Sequence, residues 1–320
     1  MERLTILYKS KYGCMPASVT PLTGSASNRR YCRLASDAGS CIGVIGTDVR
    51  ENNAFVTIAR HFRAKGINVP EVYAVSDDKS AYLQEDLGDS VLFDIKDEAL
   101  LCKTMSMLPA IQYDGAEGLD FSVCYPQPSF DRRMVMFDLN YFKYCFLKPS
   151  GLEFDEVMLQ DDFERFADAL LEEDTCTFLY RDFNARNVMI CGDEPYFIDF
   201  QGGRRGPIYY DVASFVWQAR AKYPSDLKER MLHSYLEALS QYRPVDRDAF
   251  MTRLDLFILF RLLQVLGAYG FRGLIEHKAN FVTSIPAAIS ELKSMTGKFS
   301  SLYPYMAQTL ERLCALPRFE

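Results

Sequence analysis

No Cys-x-x-Cys pair occurs in the 320 residues, although nine of them are cysteine. Thiols odd in number and spread from Cys14 to Cys314 fit free cysteines in a reducing compartment, not a disulfide framework. Histidine is scarce. His61, His233 and His277 fall far apart on predicted helices or helix ends, where surface or satisfied polar positions are expected and metal ligation is not. Positive charge is in deficit, with 36 Lys and Arg against 43 Asp and Glu. The net charge of −7 argues against a nucleic-acid polymer as partner, because neutralising phosphates takes concentrated Lys and Arg. The N-terminus MERLTILYKSKYG lacks an apolar core followed by a small-residue cleavage site, so no signal peptide is expected. The most apolar stretch, 256–271, is interrupted by Arg261 and too short to span a bilayer, so it is expected to be a buried helix. A soluble cytoplasmic protein without a membrane partner is the expectation. Neither an internal repeat nor a low-complexity tract is present.

What is present is an ordinary globular composition, 48% hydrophobic and 25% charged, long enough for two domains or for two lobes sharing one cleft. The first part is strand-rich. Segments 18–22, 30–34 and 41–45 read as strands separated by turns at 24–28 and 36–40. A helix follows, with Phe55, Ile58, Ala59 and Phe62 on one face and Gly66 as its stop. Segments 72–74 and 81–84 read as two more strands. The run Glu85-Asp86-Leu87-Gly88-Asp89 is polar, contains glycine and leads into helical sequence, as a hinge would. The division expected is therefore 1–86 as a sheet plus helix, which the resemblance described below would make the nucleotide-binding lobe, and 87–320 as a mainly helical part. In the latter, Leu101, Met105 and Leu108 share a face, as do Phe163, Phe166, Ala167 and Leu170. Leu227, Met231 and Tyr235 mark a later helix, and Phe250, Leu254, Phe257 and Ile258 a long one.

The chemistry is concentrated in FLYRDFNARNVMICGDEPYFIDFQGGRRGPIYYD, residues 178–211. Asp182 stands five residues before Asn187, and Asp199 follows twelve later, after short strands at 178–180, 188–190 and 196–198 with a hairpin turn at 191–195. An aspartate can orient an attacking hydroxyl. An asparagine and a second aspartate offer the hard oxygens that magnesium prefers against the phosphates of ATP. Phosphoryl transfer asks a protein chiefly for positioning and charge stabilisation, which such a trio supplies.

On these residues the chain resembles the aminoglycoside phosphotransferase and choline kinase group, relatives of the protein kinases. That group's catalytic loop is His-x-Asp-x-x-x-x-Asn, followed by an apolar strand and Asp-x-Asp or Asp-Phe-x. The corresponding residues are Tyr180, Asp182 and Asn187, then Asp199-Phe200-Gln201. The resemblance implies an α+β class, a bilobal protein-kinase-like fold with a small antiparallel-sheet N-lobe and a mainly helical C-lobe, and ATP and Mg2+ as cofactors. It further implies transfer of the γ-phosphoryl to a hydroxyl of a small-molecule acceptor, with Asp182 orienting the nucleophile and Asn187 and Asp199 holding the metal. Asp211 would brace the catalytic loop. The runs Arg29-Arg30-Tyr31, Gln84 to Asp89, Arg181-Asp182 with Arg186-Asn187, and Asp199-Phe200-Gln201 are similar to the branch of cell-wall amino-sugar kinases that act on N-acetylmuramate and N-acetylglucosamine. A sugar or amino-sugar acceptor is therefore expected, with choline or ethanolamine and aminoglycosides as rivals.

Two departures stand out. Tyr180 replaces the histidine that supports the loop, a place an aromatic can fill by packing. The third strand, 41–45, has no lysine for the α- and β-phosphates, and a non-catalytic nucleotide-binding regulator would lose groups of this kind. Arg29, Arg30 or Arg33 is expected to supply the missing charge, and Glu51 would be left without its usual lysine partner. Of these arginines, Arg30 is placed in the nucleotide site, with Gly24, Ser25, Ser27 and Asn28 of the turn Thr23-Gly24-Ser25-Ala26-Ser27-Asn28 as backbone contacts to phosphate. The backbone of Glu85 and Leu87 is expected to read the adenine edge. The aromatics between Phe137 and Phe146 read as core, and Asp138 as a solvated helix charge. Thr296-Gly297-Lys298 is not a phosphate loop, because Leu292 stands where glycine is required.

Overall fold

The computed structural model describes residues 1–22, 29–172 and 176–319. The chain forms two compact units, Met1–Ser129 with Thr177–Arg205, and Phe130–Cys176 with Gly206–Glu320.

The first unit is built on a five-stranded antiparallel sheet. In spatial order its strands are β1 (Ser18–Leu22), β2 (Arg30–Ser36), β3 (Gly39–Ile45), β5 (Ala81–Glu85) and β4 (Val72–Val75). Strand parity sorts the side chains. Cys32 and Leu34 of β2, Cys41 of β3, and Ala81 and Leu83 of β5 form one apolar face, covered by α1 (Glu2–Tyr12) through Leu4 and Tyr8. This helix escapes sequence reading because ERLTILYKSKY buries only those two positions, four residues apart, too few to set up a visible period. Gly43 lies beneath it, where a Cβ would approach Leu34 and Leu4 to within 3 Å. Strands β2 and β3 run further than expected, so the turn between them shrinks to two residues, 37–38, while β1 has the expected bounds.

The opposite face of the sheet packs on α2 (Val49–Ala64), whose N-terminus is capped by Asp48 accepting from the Arg50 and Glu51 amides. Phe55 of α2 stacks on Tyr82 of β5, 5.1 Å between centroids, and on Phe200 at 4.8 Å. After β5 come α3 (Leu92–Ile95) and α4 (Glu98–Tyr113), which buries Leu101, Met105 and Leu108 as its periodicity predicts. The unit is completed by β6 (Thr177–Leu179) and by the antiparallel hairpin of β7 (Val188–Cys191) and β8 (Glu194–Phe197). Its turn is only Gly192-Asp193, with Gly192 at φ +62°, because Cys191 pairs with Glu194 and Ile190 with Pro195.

The second unit is helical: α5 (Arg132–Phe142), α6 (Glu156–Leu171), α7 (Tyr209–Val216), α8 (Ser225–Leu239), α9 (Arg247–Tyr269), α10 (Ala279–Val282), α11 (Ile285–Thr296) and α12 (Pro304–Cys314). The 23-residue α9 packs against α5, α6, α7 and α11. It is longer than the apolar stretch implied, and by length and composition alone it is long and apolar enough to cross a membrane. Its apolar positions are instead core, Leu254, Phe257, Leu259, Phe260 and Leu263 among them, while Arg261 bonds Ser214 at 3.1 Å. Gly270, directly after α9, lets the chain approach the Cys145 carbonyl so closely that a Cβ would collide with it. Phe142 and Phe146 are core as expected, but Phe137 and Tyr144 are exposed, and Asp138 is 2% exposed and not solvated. Lys298 pairs with Asp255 on a helical turn, in keeping with the rejected phosphate loop.

Candidate active site

The loop that carries Asp182 is anchored from below. Tyr180 is fully buried, edge-on to Phe178, Phe183 and Phe200, and its hydroxyl donates to the Ile198 carbonyl at 2.5 Å. The aromatic thus fills the place by packing and adds a tie to the segment entering Asp199. Beyond it, Asn184 and Asn187 both donate through Nδ2 to the Asp182 carbonyl, at 2.9 and 2.8 Å. Two side-chain donors on one backbone oxygen fix the Asp182 Cα while its side chain stays exposed. The turn that follows is capped by Asn184 Oδ1, which accepts from the Arg186 amide. Asn187 then accepts from the Ile198 amide at 3.0 Å, so the hairpin ladder carries Asn187 toward Asp199, with Nδ2 3.5 Å from Oδ2. Arg181 and Asp199 adopt φ of +81° and +67°, left-handed conformations that cost a non-glycine residue on the order of 1 kcal/mol each.

Asp199 Oδ1 is the hub of a charged cluster. It accepts from Arg29 Nη2 at 3.1 Å and from Gln201 Nε2 at 2.8 Å. Arg29, immediately before β2, has a side chain only 2% exposed, and its Nε lies 3.4 Å from Glu51 Oε1 while Nη1 donates to the Tyr82 hydroxyl at 3.3 Å. Burial works against the guanidinium charge, but Tyr82, Tyr31, Glu51 and Asp199 outweigh it and raise the pKa above its ordinary value. Glu51 therefore has a cationic partner. The cation comes from the edge of β2, since by strand parity β3 turns Ser40, Ile42 and Val44, none of them basic, toward this side.

These groups line one end of a cavity of about 470 Å³. Leu22, Ile42, Val91, Met189 and Ile198 make its walls, Arg29, Asn187, Asp199 and Gln201 its charged end, and Gln84, Glu85, Leu87 and Gly88 its far side. Gly24, Ser25, Ser27 and Asn28 lie outside the described residues. Arg30 does not line the cavity: by strand parity it lies on the face of Cys32 and Leu34, where it is exposed, and Arg29 takes the inward position. Alternation in Arg-Arg-Tyr-Cys-Arg-Leu was the available signal, because apolar Cys32 and Leu34 mark the covered face. The Glu85 amide is committed to the Glu71 carbonyl at 2.8 Å and the Glu85 carboxylate to the Glu71 amide. Leu87 accepts from Cys191 Sγ through its carbonyl, and among the described residues no acceptor meets its N–H. Gln84 and Gln201 fall within runs that carry the resemblance, but the sequence assigns neither a role, since a single glutamine carries no motif of its own. Asp211 lies fully buried in the first turn of α7.

Arg33 takes a different part. Its guanidinium holds Asp86 at 2.7 Å and Asp89 at 2.8 Å, with the Gly88 carbonyl at 3.2 Å, so it clamps the segment leaving β5. Burial alone would raise the Asp86 pKa, but hydrogen bonds from Arg33, Ser40 and the Gly88 amide overcome it and lower the value. A depressed carboxylate stabilises the fold above its unfolded pKa of about 4 and loses that contribution as pH falls through the folded value. Arg33→Met is expected to cost about 1 kcal/mol at neutral pH. In thermal melts at a series of pH values, the gap to wild type should close progressively below about pH 4. A gap independent of pH would assign the loss to packing.

The donor set suits a magnesium ion. Asn187 spends Nδ2 on the Asp182 carbonyl, which leaves Oδ1 available, and Asp199 meets Arg29 and Gln201 through Oδ1, which leaves Oδ2 with only the long contact to Asn187 among the described residues. One carboxylate and one carboxamide oxygen match an ion that takes its other ligands from phosphate and water.

Residues 18–245 match the family described as APH, the phosphotransferase enzyme family. The chain belongs to this family. The phosphotransferase is 24% identical over 315 residues to the N-acetylmuramate/N-acetylglucosamine kinase of Pseudomonas aeruginosa, covering 95% of this chain and 90% of that protein. It is also 24% identical to the enzyme of the same name from Neisseria meningitidis, with 92% and 90% covered. Among solved structures it is similar to an amicoumacin kinase in complex with AMP-PNP and Ca2+, TM-score 0.63 at 13% identity, covering 98% and 94%. It is likewise similar to the choline kinase of Streptococcus pneumoniae, TM-score 0.62 at 12% identity, covering 92% and 100%. The phosphotransferase therefore has the protein-kinase-like fold of this family, a five-stranded antiparallel sheet followed by a mainly helical remainder.

Proposed function

We propose that this phosphotransferase moves the γ-phosphoryl group of ATP to a hydroxyl of a sugar or amino sugar. The observation that carries the reading is the cluster at the charged end of the cavity, where Arg29, Asn187 and Asp199 converge beside the Asp182 loop. Arg29 contributes the cation that β3 lacks, held in place by Glu51. Its fixed fork suits phosphate oxygens better than a point charge would. Asn187 and Asp199 would hold magnesium, which would supply positive charge for the phosphates. Asp182 accepts the proton of the acceptor hydroxyl as its oxygen bonds to phosphorus and the bond to the β-phosphate oxygen breaks, releasing ADP. The base occupies the apolar walls, with the Leu87 N–H donating to N1 of adenine, an acceptor that guanine lacks.

The acceptor class rests on the curated relatives, which are named for N-acetylmuramate and N-acetylglucosamine and span nearly the whole chain. The test is acceptor-dependent ADP release with ATP and Mg2+ across a panel of sugars, N-acetylated amino sugars, choline, ethanolamine and aminoglycosides. Turnover is expected with a sugar or amino sugar. Turnover confined to choline or to aminoglycosides would overturn the acceptor assignment, and ATP binding without turnover on any acceptor would favour a regulatory role.

A further inference from the structure

We infer that Gln84 reads the 6-position of the purine and thereby adds to selection for adenine, an inference that rests on the nucleotide reading of the same cavity. Gln84 is the last residue of β5 whose side chain turns, by strand parity, toward the cavity before the segment 86–89. Opposite Ile42 in the β3–β5 ladder, it alternates with Ala81 and Leu83, which turn toward α1. Tyr82, the previous cavity-facing residue on β5, lies at the Arg29 end. At about 3.4 Å of rise per residue, Gln84 is displaced by about 7 Å toward the opposite end, away from Arg29. Phosphates held by Arg29 therefore leave the base beside Gln84 and the backbone that follows it.

The state of this side chain is what points to a ligand. Gln84 is 9% exposed, and its buried Oε1 meets no hydrogen-bond partner among the described residues. A buried carboxamide oxygen left unpaired is costly, and proteins leave few of them. Here the orphaned acceptor belongs to a residue that lines a cavity large enough for a ligand. With N1 of the base directed at the Leu87 N–H, the adjacent 6-substituent falls on the Gln84 side. The 6-amino group of adenine is a donor and satisfies Oε1. A 6-oxo group there presents acceptor to acceptor, and a purine with hydrogen at position 6 leaves the oxygen as it is. Burying a polar group that only one base can satisfy is an effective way to discriminate.

The test is a cycle between ligand and protein, read as equilibrium binding of the whole chain with Mg2+. ATP and purine riboside triphosphate, which lacks the 6-amino group, are compared on wild type and on Gln84→Met, a change of similar shape that removes the acceptor. Loss of the amino group is expected to weaken binding about five- to tenfold more in wild type than in the variant. Equal losses in both proteins would overturn the role of Gln84, even with ATP tightly bound. Failure of wild type to bind ATP at all would overturn both this inference and the nucleotide reading, so the two failures are distinguishable. Gln84→Leu serves the same cycle if a thermal melt shows Gln84→Met to be unfolded.

Discussion

Asp182→Asn is expected to lower kcat by about a hundred- to ten-thousandfold, the range for removing a positioned general base. ATP affinity should stay within about twofold. The substitution is nearly isosteric and leaves the backbone carbonyl, on which Asn184 and Asn187 converge, untouched. The loop should therefore keep its shape while losing the carboxylate that orients the hydroxyl. The Asp182 side chain is exposed and braces nothing in its own unit, so the melting temperature is expected to move little. Steady-state turnover, equilibrium ATP binding and a thermal melt on the same preparation separate these quantities. A variant with more than a tenth of wild-type kcat would remove Asp182 from the chemistry.

The second large effect is expected at Arg29. Arg29→Met should reduce kcat/KM for ATP by about a hundred- to a thousandfold, the range found when one preorganised charge-stabilising donor is lost. It should also destabilise the fold, because Glu51 and Asp199 would face one another without the guanidinium that now bridges them. Arg29→Lys distinguishes the two contributions. An ammonium keeps the charge but cannot span both carboxylates and Tyr82 as the planar fork does. It should recover much of the melting temperature and only part of kcat/KM. If Arg29→Met melts early yet retains full kcat/KM for ATP, Arg29 is a strut and the phosphate cation lies elsewhere. Arg30→Met, on the face covered by α1, is the control expected to leave kcat/KM unchanged.

The sequence was legible where side-chain type and chain geometry agree. Asp182, Asn187 and Asp199 sit in one continuous stretch, so the hairpin that assembles them is local and its strands follow from Val188 to Phe197. The long helices showed because Phe163, Phe166, Ala167 and Leu170, or Phe250, Leu254 and Phe257, all take buried positions on one face. What stayed hidden depended on distant partners. Alternation along β2 separates Arg29 from Arg30, but which of the two faces borders the cavity depends on the elements that pack against the sheet. Glu51 acquires its meaning only through an arginine 22 positions earlier in the chain. Asp138 reads as a solvated helix charge because periodicity alone does not show what covers that position.

The helix α1 has a practical consequence. Beneath Leu4 and Tyr8 lie the thiols of Cys32 and Cys41, and burial pushes Cys41 up to about 11, so it stays protonated and unreactive while the helix is docked. Any truncation that trims the first dozen residues would present a wet sheet face bearing two cysteines, prone to both oxidation and aggregation. The opening residues are thus part of the folding unit and belong in every expression boundary.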